Sequence, residues 1–310
     1  MTLRVYSAAE VHAALPWPAL VQALEAAFVA AATEVPLRHA HALGQGASLL
    51  LMPAWSNDAL GVKLVTVMPQ AAAAGLPTVA ASYLLSDRHS GAPLALLDGE
   101  ALTLRRTAAA SALVARHLAR ADARTLLLVG AGRLAPWLAR AHLTLLPALS
   151  RVWIWARRSE RAEALAQQLR DEGIDAAQRV DLAAAVAQAD LISCATTSTE
   201  PLVRGEWLRP GTHLDLVGGF RPDMREADDA ALARCARIVV DTRAGALAEA
   251  GDLVQALASG AIGPARISGE LTELLRGDCP GRSDDGQITL FKSVGTALED
   301  LAAARLVLQR

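Results

Sequence analysis

The fold of this chain is decided by the stretch Thr125-Leu126-Leu127-Leu128-Val129-Gly130-Ala131-Gly132-Arg133-Leu134-Ala135. An apolar run of strand length meets the pattern G-x-G-x-x-A, and a helical pattern follows directly. Gly130 permits a tight turn, Gly132 lets the backbone approach a pyrophosphate, and Ala135 lets the next helix pack against the strand. Amides at a helix N-terminus also suit phosphate groups. The stretch therefore predicts a dinucleotide-binding loop, although an ordinary glycine- and alanine-rich turn is the alternative.

The strand after this loop ends in a basic segment. Residues 151–155 alternate as a strand does, and Arg157, Arg158 and Ser159 follow. NAD-binding units usually carry an acid about 20 residues past the glycines, which holds the ribose 2′-hydroxyl. No acid stands there in this chain, and two arginines suit a 2′-phosphate. The segment favours NADP(H) over NAD(H), and its alternative interpretation is the charged start of an amphipathic helix.

Composition narrows the class of protein. The chain has 310 residues, enough for two domains, and a net charge of −2 gives no reason to expect a nucleic-acid or membrane partner. No run approaches the roughly 18–20 apolar residues of a membrane span, and the first residues lack the apolar core of a signal peptide. The three cysteines have no metal-like spacing. We expect a soluble, reduced, cytoplasmic protein without a metal site.

Strand and helix patterns alternate between residues 124 and 245, which is typical of a doubly wound parallel sheet in an α/β domain. The preceding part differs: a helix near 18–33 leads into short apolar runs near 47–52, 60–68, 77–85 and 92–97. Those runs predict a mostly antiparallel sheet, and hence an α+β unit. An alanine-rich helix near 99–120 connects the two parts, and a last helix is expected near 294–308.

The ligand is expected at the carboxyl ends of the parallel strands, since open α/β sheets bind ligands there. Three loops follow predicted strands at that edge, and we expect them to face the first domain. They are Gly130–Arg133, Thr196–Thr199 and Val217–Phe220.

Short motifs in a fixed order run along nearly the whole chain. They are Pro36-Leu37-Arg38, Leu51-Met52-Pro53, Gly61-Val62-Lys63, Gly75-Leu76-Pro77-Thr78, Leu97-Asp98-Gly99, Arg106-Thr107-Ala108-Ala109, the Gly130 turn, Thr199-Glu200-Pro201, Val217-Gly218-Gly219, Arg221-Pro222-Asp223-Met224-Arg225-Glu226, Phe291-Lys292-Ser293-Val294-Gly295 and Glu299-Asp300. Each motif alone is weak, but the ordered set is specific. The chain resembles the ornithine cyclodeaminase/mu-crystallin family.

The resemblance implies a Rossmann domain at residues 121–289. It also implies a substrate-binding and dimerisation domain at 1–120 with 290–310, and therefore a homodimer. Members use a nicotinamide cofactor on small α-amino or α-imino acids: they cyclodeaminate ornithine, reduce cyclic ketimines or dehydrogenate amino acids such as alanine. The cofactor contacts expected by motif and resemblance are Gly130, Ala131, Gly132, Arg133, Leu134, Arg157, Arg158, Thr196, Thr197, Val217, Gly218, Ser293 and Val294.

Three basic residues match the positions where the family holds its substrate, namely Arg38, Lys63 and Arg106, and Thr78 matches a hydroxyl position. Fixed cations suit a substrate carboxylate, and an arginine can grip it with two parallel hydrogen bonds. Taken without the resemblance, a lysine in a strand or an arginine in a helix more often belongs to a solvated edge or an ion pair.

The chain departs from the cyclodeaminases at two positions. Leu50 stands where they carry a glutamate, and Phe220-Arg221-Pro222-Asp223 replaces their Asp-Cys-Pro-Gly. Both missing carboxylates would handle the second amine of ornithine. Asp223 either substitutes for one of them or belongs to a structural turn with Arg221 and Arg225. A further departure is Leu134, where many members of the family have glutamine. It affects how the loop binds the pyrophosphate.

The Arg221–Glu226 motif and the Arg157-Arg158 strand end both resemble the mu-crystallin branch, whose members reduce ketimines with NADPH. We therefore predict an NADPH-dependent reductase of a small cyclic α-imino acid, such as Δ1-pyrroline-2-carboxylate or Δ1-piperideine-2-carboxylate. The alternatives are ornithine cyclodeaminase, alanine dehydrogenase and a non-catalytic ligand-binding role. Retention of all three basic residues argues against the last.

Overall fold

The computed structural model describes residues 3–30 and 32–309. The chain divides into two compact units: a first unit, Met1–Ala110 with Gly295–Arg310, and a second unit, Ser111–Val294. The boundaries that we expected lay at residues 120 and 290. The structure instead divides the chain inside a helix that runs from Gly99 to Leu118.

Up to Leu118, the described residues form three α-helices and six strands, besides a 3-10 helix at Pro69–Ala74. In chain order they are β1 (Arg4–Tyr6), α1 (Ala8–Ala14), α2 (Trp17–Ala30), β2 (His39–Gly44), β3 (Ala47–Trp55), β4 (Ala59–Val67), β5 (Val79–Asp87), β6 (Pro93–Asp98) and α3 (Gly99–Leu118). The runs that we predicted correspond to β3 to β6. β1, α1 and β2 were not predicted, and β2 is exposed at every position, so it lacks the alternation that marks a half-buried strand.

The rest of the chain alternates strand and helix before a last long helix. The elements are β7 (Thr125–Val129), α4 (Ala135–Leu145), β8 (Arg151–Trp155), α5 (Ser159–Asp171), β9 (Ala176–Gln178), α6 (Leu182–Gln188), β10 (Leu191–Cys194), β11 (His213–Leu216), α7 (Asp229–Arg234), β12 (Arg237–Val240), α8 (Arg243–Glu249), α9 (Gly251–Ala258), β13 (Ile267–Glu270), α10 (Leu271–Arg276), β14 (Thr289–Lys292) and α11 (Ala297–Leu308). Helix α7 begins at Asp229, because Asp228 caps it by accepting the Ala231 amide at 2.8 Å.

The first unit contains a 6-stranded sheet in the order β1-β6-β5-β4-β3-β2. β1 pairs with β6 in parallel, and the other four pairings are antiparallel. The prediction of a mostly antiparallel sheet is confirmed. Helix α11 packs against β3, β4 and β5 and also against α2, so the last residues of the chain close the core of the unit in which the chain begins.

The two faces of this sheet differ because side chains alternate along each strand. On the face toward α11, Met52 of β3 and Tyr83 of β5 stand opposite Lys63 of β4, and all three are buried. On the other face, Leu64 and Leu84 are exposed.

The second unit contains an 8-stranded sheet in the order β13-β12-β14-β11-β10-β7-β8-β9, and every pairing in it is parallel. β7 lies near the middle and is buried at all five positions, as expected for a strand covered on both faces. The predicted fold class, a doubly wound Rossmann sheet with a second α+β unit, is confirmed.

Hydrophobic helix length bears on membrane spanning, and the structure describes it for residues 3–30 and 32–309. No single helix there is long and apolar enough to cross a bilayer, and only α1 and α2 taken together, bent by 79°, pass the test of length and composition.

Candidate functional site

Lys63 lies on the buried face of the sheet in the first unit. β4 alternates so that Ala59, Gly61 and Lys63 share one face, and Lys63 is only 2% exposed. Its Nζ atom lies 2.8 Å from Asp300 Oδ2 and 3.0 Å from Asp300 Oδ1, and it donates to Thr103 Oγ1 at 3.3 Å. A lysine on this face must be paired, since an isolated buried ammonium would lose its proton.

Arg106 reaches the same carboxylate from helix α3. Its Nε atom donates to Asp300 Oδ1 at 3.0 Å, and one terminal nitrogen lies 2.6 Å from Glu299 Oε2. Asp300 and Glu299 are adjacent in the first turn of α11 and are both buried. Lys63, Arg106, Glu299 and Asp300 form what we call the first-unit ion cluster, in which two cations meet two carboxylates.

The cluster changes the acidity of its members. Burial, which penalises the charged ammonium more than Asp300 supports it, lowers the pKa of Lys63 to about 8. Burial also opposes the charge on Arg106, but Asp300 and Glu299 outweigh it and raise the pKa of that guanidinium. The pKa of Asp300 is lowered because Lys63 and Arg106 outweigh its own burial. At neutral pH the cluster therefore presents two fixed positive groups.

Arg38 approaches the same helix start. It is half-buried in the segment between α2 and β2 and donates to the carbonyl oxygen of Gly295 at 3.2 Å. A side chain on Gly295 would place its Cβ 2.6 Å from a terminal nitrogen of Arg106. The three basic residues predicted to hold the substrate thus converge on residues 295–300. Thr78 is exposed directly before β5, and no hydrogen bond joins its side chain to the cluster within the described residues.

Leu50 also lies on the cluster's face of the sheet. Leu50 pairs with Val65, and Met52 pairs with Lys63. The two pairs are two residues apart along each strand, so their side chains point to the same face. The position where cyclodeaminases carry a glutamate therefore shares the face of Lys63, and in this chain it offers only an apolar side chain.

The glycine loop of the second unit has the shape that a pyrophosphate needs. Gly130 follows β7 with φ +111°, and a Cβ there would lie 2.8 Å from the Ala195 carbonyl oxygen. A Cβ on Gly132 would meet nothing within 4 Å, so open space lies against this turn. Leu134, the residue before α4, supplies no side-chain cap. The amides of Ala135 and Trp137 donate to the carbonyl oxygens of Gly132 and Leu134 at 3.2 and 3.0 Å, and proline at position 136 has no N–H, so backbone hydrogen bonds already close the start of this helix. The loop fits a nucleotide pyrophosphate through the open space at Gly132. Arg133 and Leu134 belong to the loop, and the helix that follows begins at Ala135.

Arg157 and Arg158 are exposed directly after β8. Among the described residues, neither has a carboxylate partner within 4.0 Å. Two cations without acidic neighbours at this strand end can accept an anion such as a 2′-phosphate.

Predicted cofactor residues also lie at the carboxyl ends of β10, β11 and β14, which are neighbours in the sheet. Thr196 and Thr197 follow β10, Val217 and Gly218 follow β11, and Ser293 and Val294 follow β14. The Ser293 amide donates to Leu216 O at 3.2 Å, and the Val294 amide donates to Asp241 Oδ2 at 2.8 Å.

A second buried ion cluster lies behind these loops and was missed by the sequence reasoning. It consists of Glu226, Asp252 and Lys292, each 0% exposed, and we call it the second-unit ion cluster. Lys292 Nζ lies 3.2 Å from Asp252 Oδ2. Burial and the nearby charge of Asp252 outweigh Lys292 and raise the pKa of Glu226 to about 7. Glu226, Lys292, Glu299 and Asp300 all fall in motifs quoted above, but no pattern in the sequence assigned them partners.

Asp223 is paired with a neighbouring residue of its own loop. It is exposed, and its two carboxylate oxygens accept from Arg221 at 2.9 and 2.8 Å. This pairing lowers the pKa of Asp223, so the carboxylate stays charged and is a poor general acid. Arg225 pairs with Asp229 instead. The geometry favours the structural turn over a substitute for the missing aspartate, with Arg221 as the partner.

The sequence is similar to a known protein family over nearly its whole length. The family model described as the ornithine cyclodeaminase/mu-crystallin family matches residues 2–310. A Delta(1)-pyrroline-2-carboxylate reductase of Paracoccus denitrificans is 44% identical over 247 residues, which cover 80% of this chain and 78% of that protein.

Two solved structures superpose over nearly the whole chain. The Delta(1)-pyrroline-2-carboxylate reductase of Thermococcus litoralis, in complex with NADH and L-proline, has a TM-score of 0.94 at 33% identity and covers 99% of this chain and 97% of its own. An archaeal alanine dehydrogenase dimer with bound NAD has a TM-score of 0.93 at 28% identity, covering 100% of this chain and 96% of its own. The chain belongs to the ornithine cyclodeaminase/mu-crystallin family.

Proposed function

We propose that this chain is an NAD(P)H-dependent reductase of small cyclic α-imino acids, with Δ1-pyrroline-2-carboxylate as its first candidate substrate. The observation that carries the proposal is the first-unit ion cluster, which keeps Lys63 and Arg106 charged and buried together beside Arg38. Its support from outside the chain is the similarity to two proteins named for this activity.

The residues of the first unit would hold the imino acid. Arg106 and Arg38 would grip the carboxylate, and Asp300 would keep Lys63 in place beside them. A bound nicotinamide would supply the hydride that adds to the carbon of the C=N bond. The ring nitrogen must also end with a proton, which arrives with the substrate, from water or from Lys63. A pKa of about 8 makes the Lys63 ammonium a usable acid at neutral pH.

The second unit would hold the cofactor. The proposed contacts are the glycine loop from Gly130 to Leu134, the strand-end residues Thr196, Thr197, Val217, Gly218, Ser293 and Val294, and the arginines after β8. We propose NADP(H) as the preferred form, because Arg157 and Arg158 are exposed without an acidic partner among the described residues. The matched test compares Arg157→Ala/Arg158→Ala with Arg161→Ala in the first turn of helix α5, which follows. The double variant should raise the KM for NADPH about 10-fold or more, with little change for NADH.

We propose a homodimer joined through the exposed face of the first unit's sheet. Val5 is 67% exposed, Leu64 42% and Leu84 37%, and the strand register aligns Val5 and Leu84 on either side of Leu96. Exposed apolar side chains grouped on one face indicate an interface. Leu64→Arg should give a monomer in analytical ultracentrifugation, whereas Val180→Arg, at an 81% exposed position of the second unit, should not.

The reaction is proposed to take place in the cytoplasm. All three cysteines, Cys194, Cys235 and Cys279, are free thiols and buried, as expected for a protein of a reducing compartment. Fractionation of cells that produce the tagged chain tests this.

The decisive experiment compares substrates with purified protein. NADPH or NADH oxidation is followed at 340 nm with Δ1-pyrroline-2-carboxylate and with Δ1-piperideine-2-carboxylate, beside an ammonia assay on L-ornithine. Consumption of reduced cofactor without release of ammonia supports the reductase. Formation of ammonia and proline from ornithine would show that the chain is a cyclodeaminase and not a reductase. Leu50 and the pairing of Asp223 with Arg221 argue against that outcome. Alanine dehydrogenase stays a second candidate because of the dehydrogenase neighbour, and turnover of L-alanine with NAD(P)+ separates it.

A further inference from the structure

The carboxylate of Glu226 is a hydrogen-bond acceptor shared by two strand-end loops. Its Oε1 atom accepts the Thr196 amide at 2.7 Å and the Thr196 hydroxyl at 2.9 Å. Its Oε2 atom accepts the amides of Gly218 at 2.8 Å and Gly219 at 3.3 Å. One buried side chain therefore joins the loop after β10 to the loop after β11.

Glycine allows this close approach. A Cβ on Gly218 would lie 2.5 Å from Glu226 Oε1, and a Cβ on Gly219 would lie 2.6 Å from Asp252 Oδ2. Two glycines in succession thus let the second loop lie directly on the buried carboxylates.

Glu226 is itself fixed from behind. Its amide donates to Asp252 Oδ1 at 2.7 Å, and its carbonyl accepts the amides of Leu202 and Val203, each at 2.9 Å. Asp252 in turn lies beside Lys292 of β14. The position of the carboxylate is therefore set by α9 and β14, and the two loops follow it.

We propose that Glu226 is a positioning residue for the nicotinamide cofactor, because it holds Thr196 and Gly218 in the geometry that receives it. The inference rests on the proposed cofactor site, and Glu226 needs no contact with the cofactor. An ionised carboxylate is required, since four donors point at its two oxygens and a neutral acid or an amide would turn a hydrogen toward one of them.

The test is cofactor affinity in Glu226→Gln, with Asp190→Asn as the matched control. The Asp190 carboxylate accepts the amides of Arg124 and Thr125 at 2.9 and 3.0 Å, just before β7 and β10 begin, at the opposite end of those strands. In both variants, a buried carboxylate that accepts hydrogen bonds from backbone amides is replaced by the carboxamide of the same length. Kd for NADH and NADPH is measured by nicotinamide fluorescence, and folding by circular dichroism and thermal unfolding.

Glu226→Gln should raise the Kd for both cofactors about 10-fold or more, because two buried amides lose their acceptor. Asp190→Asn should lower the melting temperature and leave both Kd values unchanged. An unchanged Kd in a folded Glu226→Gln would overturn the proposal, as would an equal rise in both variants. If Glu226→Gln does not fold, Glu226→Asp makes the same prediction, since its shorter side chain keeps the charge but cannot span both loops.

A pH profile gives a readout that a purely structural role would not move. The groups facing Glu226 are Asp252 from α9, Lys292 from β14 and the Cys194 thiol from β10, whose own pKa burial raises well above its usual value. Protonation of Glu226 removes an acceptor, so the wild-type Kd for NADH should rise as pH falls below about 7. Glu226→Gln should show a flat profile. NADH is the probe because the 2′-phosphate of NADPH titrates at about pH 6.

The outcomes separate this inference from the proposed function. A Glu226-dependent Kd without imino-acid reduction would leave the positioning role standing and remove the reductase. Imino-acid reduction with a Kd that ignores Glu226 would do the reverse. Absence of NADH and NADPH binding in the wild-type chain would overturn both.

Discussion

The two buried ion clusters differ in charge balance. In the first-unit cluster two cations, Lys63 and Arg106, meet the carboxylates of Glu299 and Asp300. In the second-unit cluster one cation, Lys292, meets the carboxylates of Glu226 and Asp252. Both sets are almost wholly removed from solvent.

The ratio of cations to carboxylates in each cluster determines which group has the shifted pKa. Where charges match, the carboxylate stays ionised and burial lowers the pKa of Lys63 to about 8. Where a carboxylate is in excess, burial raises the pKa of Glu226 to about 7. A balanced cluster keeps fixed cations ready for an anionic substrate, and an unbalanced one leaves an acceptor for backbone amides.

The largest effect is expected from removing a cation of the balanced cluster. Arg106→Ala and Lys63→Ala should each lower kcat/KM for Δ1-pyrroline-2-carboxylate by about 10²–10³-fold, because a preorganised charge is lost. Arg105→Ala is the matched control for Arg106: the Arg105 guanidinium lies over the Trp17 ring at 3.6 Å and binds Leu15 O. It should cost stability but not turnover. Near wild-type kcat/KM in folded Arg106→Ala or Lys63→Ala would refute the assigned role.

The second prediction compares the lysines by stability. Lys292→Met leaves two carboxylates without a cation, so the free energy of unfolding should fall by about 3–5 kcal/mol. Lys63→Met leaves Asp300 paired with Arg106, and the loss should be smaller, roughly 1.5–3 kcal/mol. Urea unfolding measures both.

The sign of the pH dependence follows from Glu226. Its folded pKa is already raised, so the stability it contributes at low pH is lost as pH rises toward about 7. Loss of Lys292 raises that pKa further, and the deficit of Lys292→Met should be larger at pH 8 than at pH 6. Equal losses for the two lysine variants would mean that charge balance does not distinguish the clusters.

The third prediction concerns the fall of kcat/KM at high pH, which we call the basic limb of the pH profile. The Lys63 ammonium loses its proton above a pH of about 8, so kcat/KM for the imino acid should fall there. Asp300→Asn should move this limb to lower pH, because the negative charge of Asp300 raises the pKa of Lys63. Glu299→Gln, which removes the carboxylate paired with a terminal nitrogen of Arg106, should leave the limb in place. The same limb in all three proteins would show that another group titrates.

The smallest effect is expected from an exposed pair. Asp223→Ala removes an exposed carboxylate whose ion pair, among the residues that the structure describes, is with Arg221, so kcat/KM should stay within about two-fold of wild type. Set beside the two buried clusters, the result measures what an ion pair contributes when it is exposed to solvent. A loss of more than about ten-fold would give Asp223 a catalytic role and reopen the cyclodeaminase alternative.

Much of the fold was readable because its signals are local. The Gly130 turn, β7 and α5 follow from periodicity and glycine spacing, and the strands predicted in the first sheet correspond to β3, β4, β5 and β6. β2 was not predicted because it is exposed at all six positions and shows no alternation, and α8 to α10 were not predicted because each has only six to eight residues. The motifs also indicated Lys63 and Arg106.

Residue types and their spacing were enough to predict the Rossmann fold class, to identify the basic residues of the first unit and to show that no acid follows β8 directly. The contacts that these residues make could be known from the folded chain alone. Asp300 lies 237 positions from Lys63 in the chain, and Glu226 lies 30 from Thr196. No local pattern encodes such pairs, because the ion partners are fixed by helix packing and strand order. Burial then sets their charge, and burial is a property of the folded chain alone.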